Sequence, residues 1–440
     1  KEKNTISLHK IYYIVYKYFV KKKIKKEILF LYEYKCYNPK KSRESKMSKR
    51  SFIRYVRKVD TDPQTVFFED SVVTGIVPEL KERGTRRILV ICALNTRKFR
   101  YFEDMVDSFI EQGFRVFAYK RNDEVLSDKD IEGALKIYKE YNCDSIVSVG
   151  GTAEIDCAKL VAALAANRDK NLYSITGTDK LSSDIRVLCC IVTDNSPSGA
   201  TASAEYYSNE TSKWETVLSP YLVPHIVAFD PEFSSRIPID IAVSTAMTSL
   251  CMAIEAYLSP IAQFFPEYRA NAMIAIMKIF GTLDKLYKKP SDTYLRKQVA
   301  AGGFYSGLST RKSGYGYAHI IMHCLQSRYS VPHGTGMCRI LTLILKATLE
   351  RNRDDLAMLS RDSHFCTMSI DATSAAQSFI ESITRLYQRV ECADVIPPIK
   401  ESEIDGIVAD VEKEALVFGL RKTLDSDTLR SIINILSCQP

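Results

Sequence analysis

Short apolar runs alternate with amphipathic stretches over the first half of this chain, and this alternation limits the folds open to it. The apolar runs at residues 87–94, 145–151 and 187–193 have the length and composition of buried strands. Residues 101–113 carry apolar side chains at helical spacing and end at a glycine, which often terminates a helix. Strands that alternate with helices form parallel sheets covered by helices. The sequence therefore predicts an α/β domain over residues 66–230.

The pattern changes after this domain, where long segments of helical periodicity replace the apolar runs. Residues 241–258 and 269–287 carry apolar side chains three and four positions apart and contain few β-branched runs. A chain of 440 residues is also too long for one ordinary core. The sequence therefore predicts a second, all-helical domain over residues 231–440, with the boundary between Asp230 and Pro238.

The positive charge of the chain is confined to its first 50 residues. That segment holds 16 lysine and arginine residues against 4 glutamates, whereas the remaining 390 residues hold 45 basic against 49 acidic residues. The part predicted to fold is therefore mildly acidic. Recognition of nucleic acid needs a basic face on the folded surface, so we expect no nucleic-acid partner.

Residues 1–50 form a basic arm rich in lysine and tyrosine, which we exclude from the predicted fold. The first methionine is Met47, and we interpret residues 1–46 as an extraneous extension. The alternative is an amphipathic helix on a membrane surface, because lysine-rich segments with aromatic side chains bind anionic interfaces. The apolar run Ile11–Val20 is too short to span a bilayer and is interrupted by Lys17, so we expect no stable membrane insertion.

Twelve cysteines are scattered along the chain without regular spacing and without a C-x-x-C pair. Several of them, including Cys92, Cys189 and Cys190, lie inside apolar runs. This distribution favours reduced cysteines that pack as small apolar side chains. The sequence therefore predicts a cytoplasmic protein without a disulfide framework.

A glycine pair, Gly150 and Gly151, stands between a predicted strand and a predicted helix. Glycines at such a position let a phosphate approach the backbone, and the amino terminus of the helix offers oriented N–H groups and a positive dipole. The pair alone is weak evidence, because Gly-Gly also occurs in ordinary tight turns. The segment continues through Thr152 and Asp156 to Lys159.

Three further segments contain residue types suited to a functional site. Residues 193–200 are rich in small and hydroxyl side chains, and residues 224–257 contain the sequences Asp-Pro, Arg-Ile-Pro and Ala-Ile-Glu-Ala-Tyr. Three of the six histidines, His319, His323 and His333, fall within fifteen residues. A single buried histidine is usually a packed core residue, but a cluster of a scarce residue type favours chemistry.

The order and spacing of these segments resemble the iron-containing alcohol dehydrogenase family, which shares its two-domain layout with dehydroquinate synthase. The family motifs GGGSxxDxAK, TTAGTGSE, DP…TGMDALxHAIEAY and HAxAH…PHG correspond to residues 150–159, 193–200, 230–257 and 319–334. The resemblance covers residues 66–440. It implies a dinucleotide-binding α/β domain, an all-helical domain for metal and substrate, and oxidoreductase activity on a small molecule.

The resemblance also implies a binding site for NAD or NADP. Its residues would be Gly150, Gly151, Thr152, Asp156, Thr193 and Lys213. The loop departs from the family at Thr152 and Ala153, where the family has Gly and Ser. An acidic residue that usually binds the adenosine ribose is absent near Cys92–Ala93, and its loss removes a barrier to a 2′-phosphate. The choice between NAD and NADP therefore stays open.

For a divalent metal, iron or zinc, the resemblance implies His319 and His333 as two of the family's four ligands. The other two ligand positions hold Thr248 and Met252, whose neutral hydroxyl and soft thioether are poor ligands for these ions. A catalytic metal normally has at least three protein ligands. Simple loss of the metal is therefore the preferred interpretation.

The alternative is a metal site rebuilt by a cysteine, and Cys251 and Cys324 are the candidates by position. His323 matches a family histidine that lies near substrate and nicotinamide, and it is the candidate catalytic residue. Without a metal, a protonated histidine would donate a hydrogen bond to the substrate oxygen.

Two hypotheses on function follow. The first is hydride transfer between a nicotinamide and a small alcohol, aldehyde, ketone or oxo acid, with weak or no metal dependence. The second is a catalytically degenerate relative that keeps the fold, with or without nucleotide binding, because the substitutions fall in both the cofactor loops and the metal positions. The dehydroquinate synthase branch is a more remote alternative. Family members are commonly oligomers, so the resemblance implies a homo-oligomer.

Overall fold

The structure is a computed structural model with side chains. It describes residues 64–68, 73–93, 96, 99–121, 125–329, 331, 333–391, 396–420 and 424–437. The basic arm over residues 1–50, and with it the membrane-surface alternative, lies outside the described residues. By compactness the chain divides into residues 1–67 and residues 68–440. Of the first unit only the last four residues are described, and they begin strand β1.

The second unit contains all the other elements. The strands in the described part of the chain are β1 (Thr65–Phe68), β2 (Arg87–Ala93), β3 (Arg115–Arg121), β4 (Ser145–Gly150), β5 (Gly177–Thr178), β6 (Val187–Val192), β7 (Ser203–Ser208), β8 (Lys213–Leu218) and β9 (Ile226–Phe229). A 3₁₀ turn spans Pro220–Leu222.

The helices in the described part are α1 (Val73–Glu82), α2 (Arg100–Glu111), α3 (Asp128–Glu140), α4 (Thr152–Ala166), α5 (Leu172–Ile175), α6 (Pro231–Ser234), α7 (Ile239–Leu258), α8 (Pro260–Phe264), α9 (Pro266–Lys288), α10 (Thr293–Ser313), α11 (Tyr317–Gln326), α12 (His333–Ala347), α13 (Leu349–Asp362), α14 (Ala372–Arg389), α15 (Glu401–Val417) and α16 (Ser426–Ser437).

A parallel sheet forms the first half of the second unit. Its strands are in the order β9-β6-β4-β2-β3, and neighbouring strands all run parallel. The three strands predicted from apolar runs are all present as β2, β4 and β6, and β4 and β6 are buried along almost their whole length because helices cover the sheet. The predicted helix over residues 101–113 is α2, and it stops before Gly113, whose φ of +91° suits a glycine.

A second, three-stranded sheet, in the order β5-β8-β7, was not predicted. Strands β7 and β8 pair antiparallel, with Glu205 opposite Thr216 and Tyr207 opposite Trp214. Aromatic and β-branched side chains on facing strands stabilise such pairs. This hairpin contributes Glu205 and Trp214 to the candidate site, and the sequence analysis singled out neither.

The described residues after Phe229 form helices and loops only, so the predicted class of a parallel sheet with helices followed by a helical half is confirmed. The change falls between Phe229, the last strand residue, and Pro231, where α6 begins. By compactness, however, residues 68–440 form one unit, so the predicted division into two separate domains stays a prediction. Eight of the nine described cysteines are buried, as expected for small apolar side chains.

Helix α7 is the central helix of the helical half. Its 20 residues are long and apolar enough to cross a membrane, but 67% of the apolar window is buried inside the protein. It packs against α9, α10 and α12. At the start of α12 a Cβ on Gly334 would lie 1.7 Å from the carbonyl oxygen of Ser244 in α7, so only glycine permits this approach. The approach places the neighbouring His333 beside Thr248.

Candidate active site

A cavity of about 190 Å³ lies where the loops after β4 and β6 meet the helical half. Hydroxyl, carboxyl and imidazole groups from both halves line it. The lining residues are Leu126, Thr152, Ala153, Asp156, Ser196, Pro197, Ser198, Glu205, Trp214, Ser244, Thr245, Thr248, Met252, Tyr315, His319, His323, Gln326 and His333. We call the glycine pair and the first turn of α4, residues 150–154, the phosphate loop, after its predicted role. The cavity therefore joins this loop to all three clustered histidines.

Glu205 of β7 lies between two of the histidines. His319 Nε2 donates to Glu205 Oε1 over 2.9 Å, and His323 Nε2 donates to Glu205 Oε2 over 3.0 Å. His319 and His323 are four residues apart on α11 and therefore lie on the same face of the helix. His333 completes the group, since one ring nitrogen from each histidine lies within 4.8 Å of the others. We call these four residues the histidine–glutamate cluster.

A second carboxylate holds His323 from its other side. His323 Nδ1 donates to Glu414 Oε1 of α15 over 3.0 Å, and the ring stacks on Trp214 at a centroid distance of 6.0 Å. Glu414 is less buried than Glu205. His323 is thus fixed between one deeply buried carboxylate and one nearer the surface.

The charges of the cluster follow from this arrangement. Burial opposes the charged form of every member of the cluster. At His323 the carboxylates of Glu205 and Glu414 have a larger effect than burial, and they raise its pKa to about 10. Burial alone would also raise the pKa of Glu205, but the neighbouring His323 and His319 hold it well below its ordinary range. The cluster therefore contains an ion pair of His323 with Glu205 at neutral pH.

His319 and His333 are neutral in the same cluster. Burial lowers the pKa of His319, and burial with the neighbouring imidazoles lowers the pKa of His333 well below its usual range. His319 Nδ1 and His333 Nε2 are buried nitrogens without a hydrogen-bond partner in the described part of the chain. His333 Nδ1 lies 3.3 Å from Thr248 Oγ1. Each neutral ring therefore presents an unpartnered nitrogen inside the protein, which suits a ligand.

Asp156 bonds to the backbone of strand β7 at Glu205 and so helps to position that residue. Its Oδ2 accepts the backbone N–H of Glu205 over 3.1 Å, and its Oδ1 lies 3.9 Å from Lys159 Nζ. Lys159 donates to the backbone oxygens of Thr201, just before β7, and of Ser203, its first residue. Asp156 was predicted to bind cofactor. It lines the cavity, but its observed contacts connect the phosphate-loop helix to Glu205.

The phosphate loop lies at the start of α4, as predicted, but carboxylates face it. The N–H of Gly151 donates to Glu154 Oε2 over 3.1 Å, and Glu154 pairs with Arg121 over 2.5 Å. A Cβ on Gly150 would meet Glu154 at 2.4 Å, and a Cβ on Gly151 would meet Asp194 Oδ2 at 2.4 Å. Glycine is thus needed at both positions because the side chains of Glu154 and Asp194 pack directly against the backbone there. Sequence analysis missed both carboxylates.

Hydroxyl groups lie on the cavity side of this loop. Thr152 Oγ1 and Ser196 Oγ are 2.7 Å apart, and both line the cavity. The buried Thr193 donates its N–H to the carbonyl oxygen of Gly150 over 3.0 Å. The structure therefore brings five of the six predicted cofactor residues to one edge of the sheet, together with Ser196.

Lys213 is the sixth, and it does not line the cavity. It lies on β8 with its side chain about half exposed, and its Nζ pairs with Asp410 Oδ1 over 3.0 Å. Its cofactor role stays a prediction that this ion pair does not support.

The cysteine alternative is also not supported by the geometry. Neither Cys251 nor Cys324 lines the cavity, and Cys324 Sγ instead donates to Glu414 over 3.4 Å. Burial raises the pKa of the Cys324 thiol far above its ordinary value, which disfavours the thiolate that a metal needs. Thr248 and Met252 both line the cavity as expected from their positions.

The donor set of the cluster fits a divalent metal. Among the described residues, His319, His323 and His333 are the group whose ligand atoms lie close enough to hold one ion. The unpartnered Nε2 of His333 and the carboxylate of Glu205 complete a set of nitrogen and oxygen donors that zinc and iron accept. The preferred interpretation from sequence, simple loss of the metal, counted only two of these donors.

A helix that begins at a glycine pair beyond the carboxyl end of a parallel strand, and that faces a buried histidine cluster of a helical half, defines a class of α/β enzymes whose ligands bind at that edge of the sheet. The chain belongs to the iron-containing alcohol dehydrogenase family. The family model for iron-containing alcohol dehydrogenase matches residues 63–231, and the model for the C-terminal part of the Fe-containing alcohol dehydrogenase family matches residues 242–436. The resemblance noted in the sequence is therefore confirmed.

Individual relatives are distant but extend over most of the chain. The chain is 24% identical over 329 residues to 1,3-propanediol dehydrogenase of Citrobacter freundii, covering 74% of this chain and 84% of the relative. It is 24% identical over 354 residues to alcohol dehydrogenase 4 of Schizosaccharomyces pombe, covering 80% and 83%. A crystal structure of 1,3-propanediol oxidoreductase has the same fold, with a TM-score of 0.79 at 22% identity over 84% of this chain and 97% of that one.

Proposed function

We propose that this protein transfers a hydride between a nicotinamide dinucleotide and a small alcohol or the corresponding aldehyde, ketone or oxo acid. The observation that carries the proposal is the single cavity that joins the phosphate loop to the histidine–glutamate cluster. Such a cavity lets the nicotinamide end of a dinucleotide reach a substrate oxygen at the cluster. The names of the relatives, which include an NAD-dependent methanol dehydrogenase of Bacillus methanolicus, support the same reaction class.

Each part of the cavity has a task in this proposal. The amino terminus of α4, with Thr152 and Ser196, would hold the pyrophosphate through N–H and hydroxyl donors. A divalent metal held by the cluster would polarise the substrate oxygen. The cationic His323 balances the charge of Glu205 only until a metal takes the place of the proton on its Nε2. Trp214, which stacks on His323, closes the cavity with an apolar face.

Nicotinamide fluorescence tests the proposal directly. The purified chain is titrated with NADH and, separately, with NADPH, and the oxidation of bound cofactor is then followed at 340 nm with short aldehydes, ketones and oxo acids. We expect saturable binding and turnover of at least one of these substrates. Absence of binding by both cofactors would contradict the proposal. Preference for NADPH would agree with the missing acidic residue at the end of β2, and preference for NADH would show that this residue is not needed.

A second candidate function is a family member that keeps the fold without turnover. The carboxylates of Glu154 and Asp194 at the phosphate loop favour it, because ionised carboxylates repel a pyrophosphate. The same titration distinguishes the two candidates. Binding without oxidation of NADH across the substrate panel would support the second one. For that comparison the sample must be saturated with zinc or iron, so that loss of metal is not mistaken for loss of activity.

A further inference from the structure

We infer that the histidine–glutamate cluster is a rebuilt divalent-metal site, in which His323 and Glu205 take over from the two ligand positions now held by Thr248 and Met252. The ligands would be imidazole nitrogens of His319, His323 and His333 and a carboxylate oxygen of Glu205. The inference deepens the proposed function and rests on it for the catalytic use of the metal. Metal binding itself is tested separately below.

The spacing within the cluster suits ligands that share one ion. Around a tetrahedral zinc with bonds of about 2.1 Å, neighbouring ligand atoms are about 3.4 Å apart, and in octahedral geometry about 3.0 Å. The two nitrogen-to-oxygen distances from His319 and His323 to Glu205 are 2.9 and 3.0 Å. These pairs already have the separation of neighbouring ligands. The third nitrogen, on His333, lies within 4.8 Å and needs a shift of roughly 1.5 Å to join them.

Two of the imidazoles are already oriented by partners on the side away from the cluster. Histidine ligands usually bond their second ring nitrogen to a carboxylate or another oxygen, which fixes the ring and increases its basicity. His323 Nδ1 bonds to Glu414 at 3.0 Å, and His333 Nδ1 lies 3.3 Å from Thr248 Oγ1. In both rings Nε2 is therefore the nitrogen left for a metal. Thr248, which stands at a ligand position of the family, here orients the ring of His333 instead of binding the metal itself.

An independent observation comes from the unpartnered nitrogen of His333. Its Nε2 is buried and has no hydrogen-bond partner among the described residues. A buried polar atom without a partner destabilises the fold, so such atoms are rare unless a ligand or water satisfies them. A metal ion between His333 and the other members would supply the missing contact.

Glu205 is held in place from outside the cluster, as a metal ligand usually is. Its backbone N–H donates to Asp156, and its strand β7 pairs with β8 through residue Thr216. Its side chain is about nine-tenths buried, so the surrounding protein holds the carboxylate in place. Glutamate therefore supplies the anionic ligand that neither Thr248 nor Met252 offers.

Cobalt substitution tests this site without turnover. The full chain is stripped with a chelator and titrated with Co²⁺, whose visible absorption reports the number and geometry of ligands, and bound metal is quantified by mass spectrometry. We expect one Co²⁺ per chain and displacement by Zn²⁺. X-ray absorption on the zinc-loaded wild-type chain should show three imidazoles and one carboxylate. This measurement needs no variant and therefore does not depend on whether a variant folds.

Variants identify the ligands. Glu205→Gln keeps the size of the side chain and the backbone bond to Asp156 but removes the anionic ligand, so Co²⁺ affinity should fall by at least about tenfold. Met252→Leu conserves volume at the family ligand position and is the matched control, with a change of no more than about twofold. Circular dichroism and thermal melting verify that both variants fold.

Three results would overturn the inference: no metal bound by the wild-type chain, two rather than three imidazoles in the absorption spectrum, or unchanged affinity in Glu205→Gln. NADH titration of the same samples separates this outcome from failure of the proposed function. Metal binding without NADH binding would leave the rebuilt site standing and refute the dehydrogenase. NADH binding and turnover by a chain that binds no Co²⁺ would refute the metal site and leave the dehydrogenase standing.

Discussion

At the scale of single residues, Asp194 places a buried carboxyl group directly beside the phosphate loop. Its carboxylate lies over Gly151 and accepts a hydrogen bond from the N–H of Ser196. It also interacts electrostatically with the carboxylate of Glu154. Burial, together with Glu154, raises the pKa of Asp194 to about 7. The charge at the place where a pyrophosphate would lie therefore changes in the neutral pH range.

Cofactor affinity should consequently depend on pH through this one residue. Protonated Asp194 can donate to a phosphate oxygen, whereas the ionised form repels it, so the affinity for NADH should fall as the pH rises from 6 to 8. Asp194→Asn keeps the shape and cannot ionise, and its affinity at pH 8 should exceed that of the wild type by on the order of tenfold. Fluorescence titration at constant ionic strength measures both. Parallel pH profiles of the two proteins would show that Asp194 does not control binding.

The same residue should make stability depend on pH. The pKa of Asp194 is raised in the folded state to about 7 from an ordinary value of 3.8. Between these values the folded chain holds a proton that the unfolded chain has released, so the contribution to stability is full below pH 3.8 and is lost as the pH rises through 7. We expect the melting temperature of the wild type, relative to Asp194→Asn, to decrease from pH 5 to pH 8. A constant difference between the two across that range would be inconsistent with this titration.

At the scale of elements, close packing fixes where helix α10 lies relative to the loops of the sheet. A Cβ on Gly303 would lie 2.2 Å from the carbonyl oxygen of Asn195, in the loop after β6. Ser249 of α7 also donates its hydroxyl to this carbonyl oxygen, over 2.8 Å. The loop that carries Asp194 and Ser196 is thus supported by two helices of the helical half.

Alanine substitution of two helical glycines tests this packing. Gly303→Ala should destabilise the protein by about 1–3 kcal/mol, because backbone atoms must move to admit the methyl group. Gly281 of α9 is the matched control, since a Cβ there meets nothing within 4 Å. Gly281→Ala should stabilise the protein by about 0.5–1 kcal/mol through helix propensity. Urea unfolding gives both values, and equal effects of the two substitutions would contradict the packing argument.

Strand β7 shows which part of the site could not be obtained from sequence. The sequence analysis assigned no element to residues 203–208, and the hairpin of β7 with β8 was therefore overlooked. Its own pattern contained the signal, because aromatic and β-branched residues on both sides of the polar sequence Asn-Glu-Thr-Ser favour a hairpin. That hairpin places Glu205 on a strand. The hydrogen bond of Glu205 with His319, however, requires the tertiary contact between β7 and α11. No local rule gives such a contact.

At the scale of the whole molecule, the fold was largely predictable and the site only in part. Buried parallel strands such as β4 and β6 are continuous apolar runs, and helices such as α7 repeat at 3.6 residues, so both patterns are strong and local. The three histidines were found because they cluster in sequence. The acidic partners Glu205, Glu414 and Asp194 come from three other elements, and sequence distance hides their contacts with the site.

The uneven charge of the chain leads to a prediction for the whole protein. Residues 1–46 hold 14 lysine and arginine residues against 4 glutamates, whereas the rest of the chain is slightly acidic. Each basic residue near an anionic membrane surface contributes about 1 kcal/mol at physiological salt, and salt screens this attraction. The full chain should therefore sediment with phosphatidylserine vesicles at low salt and be released by concentrated NaCl. A chain that starts at Met47 should stay in the supernatant while keeping the same NADH affinity. Sedimentation of both chains would place the membrane-binding surface on the folded body, and sedimentation of neither would show that the arm does not act as an electrostatic anchor.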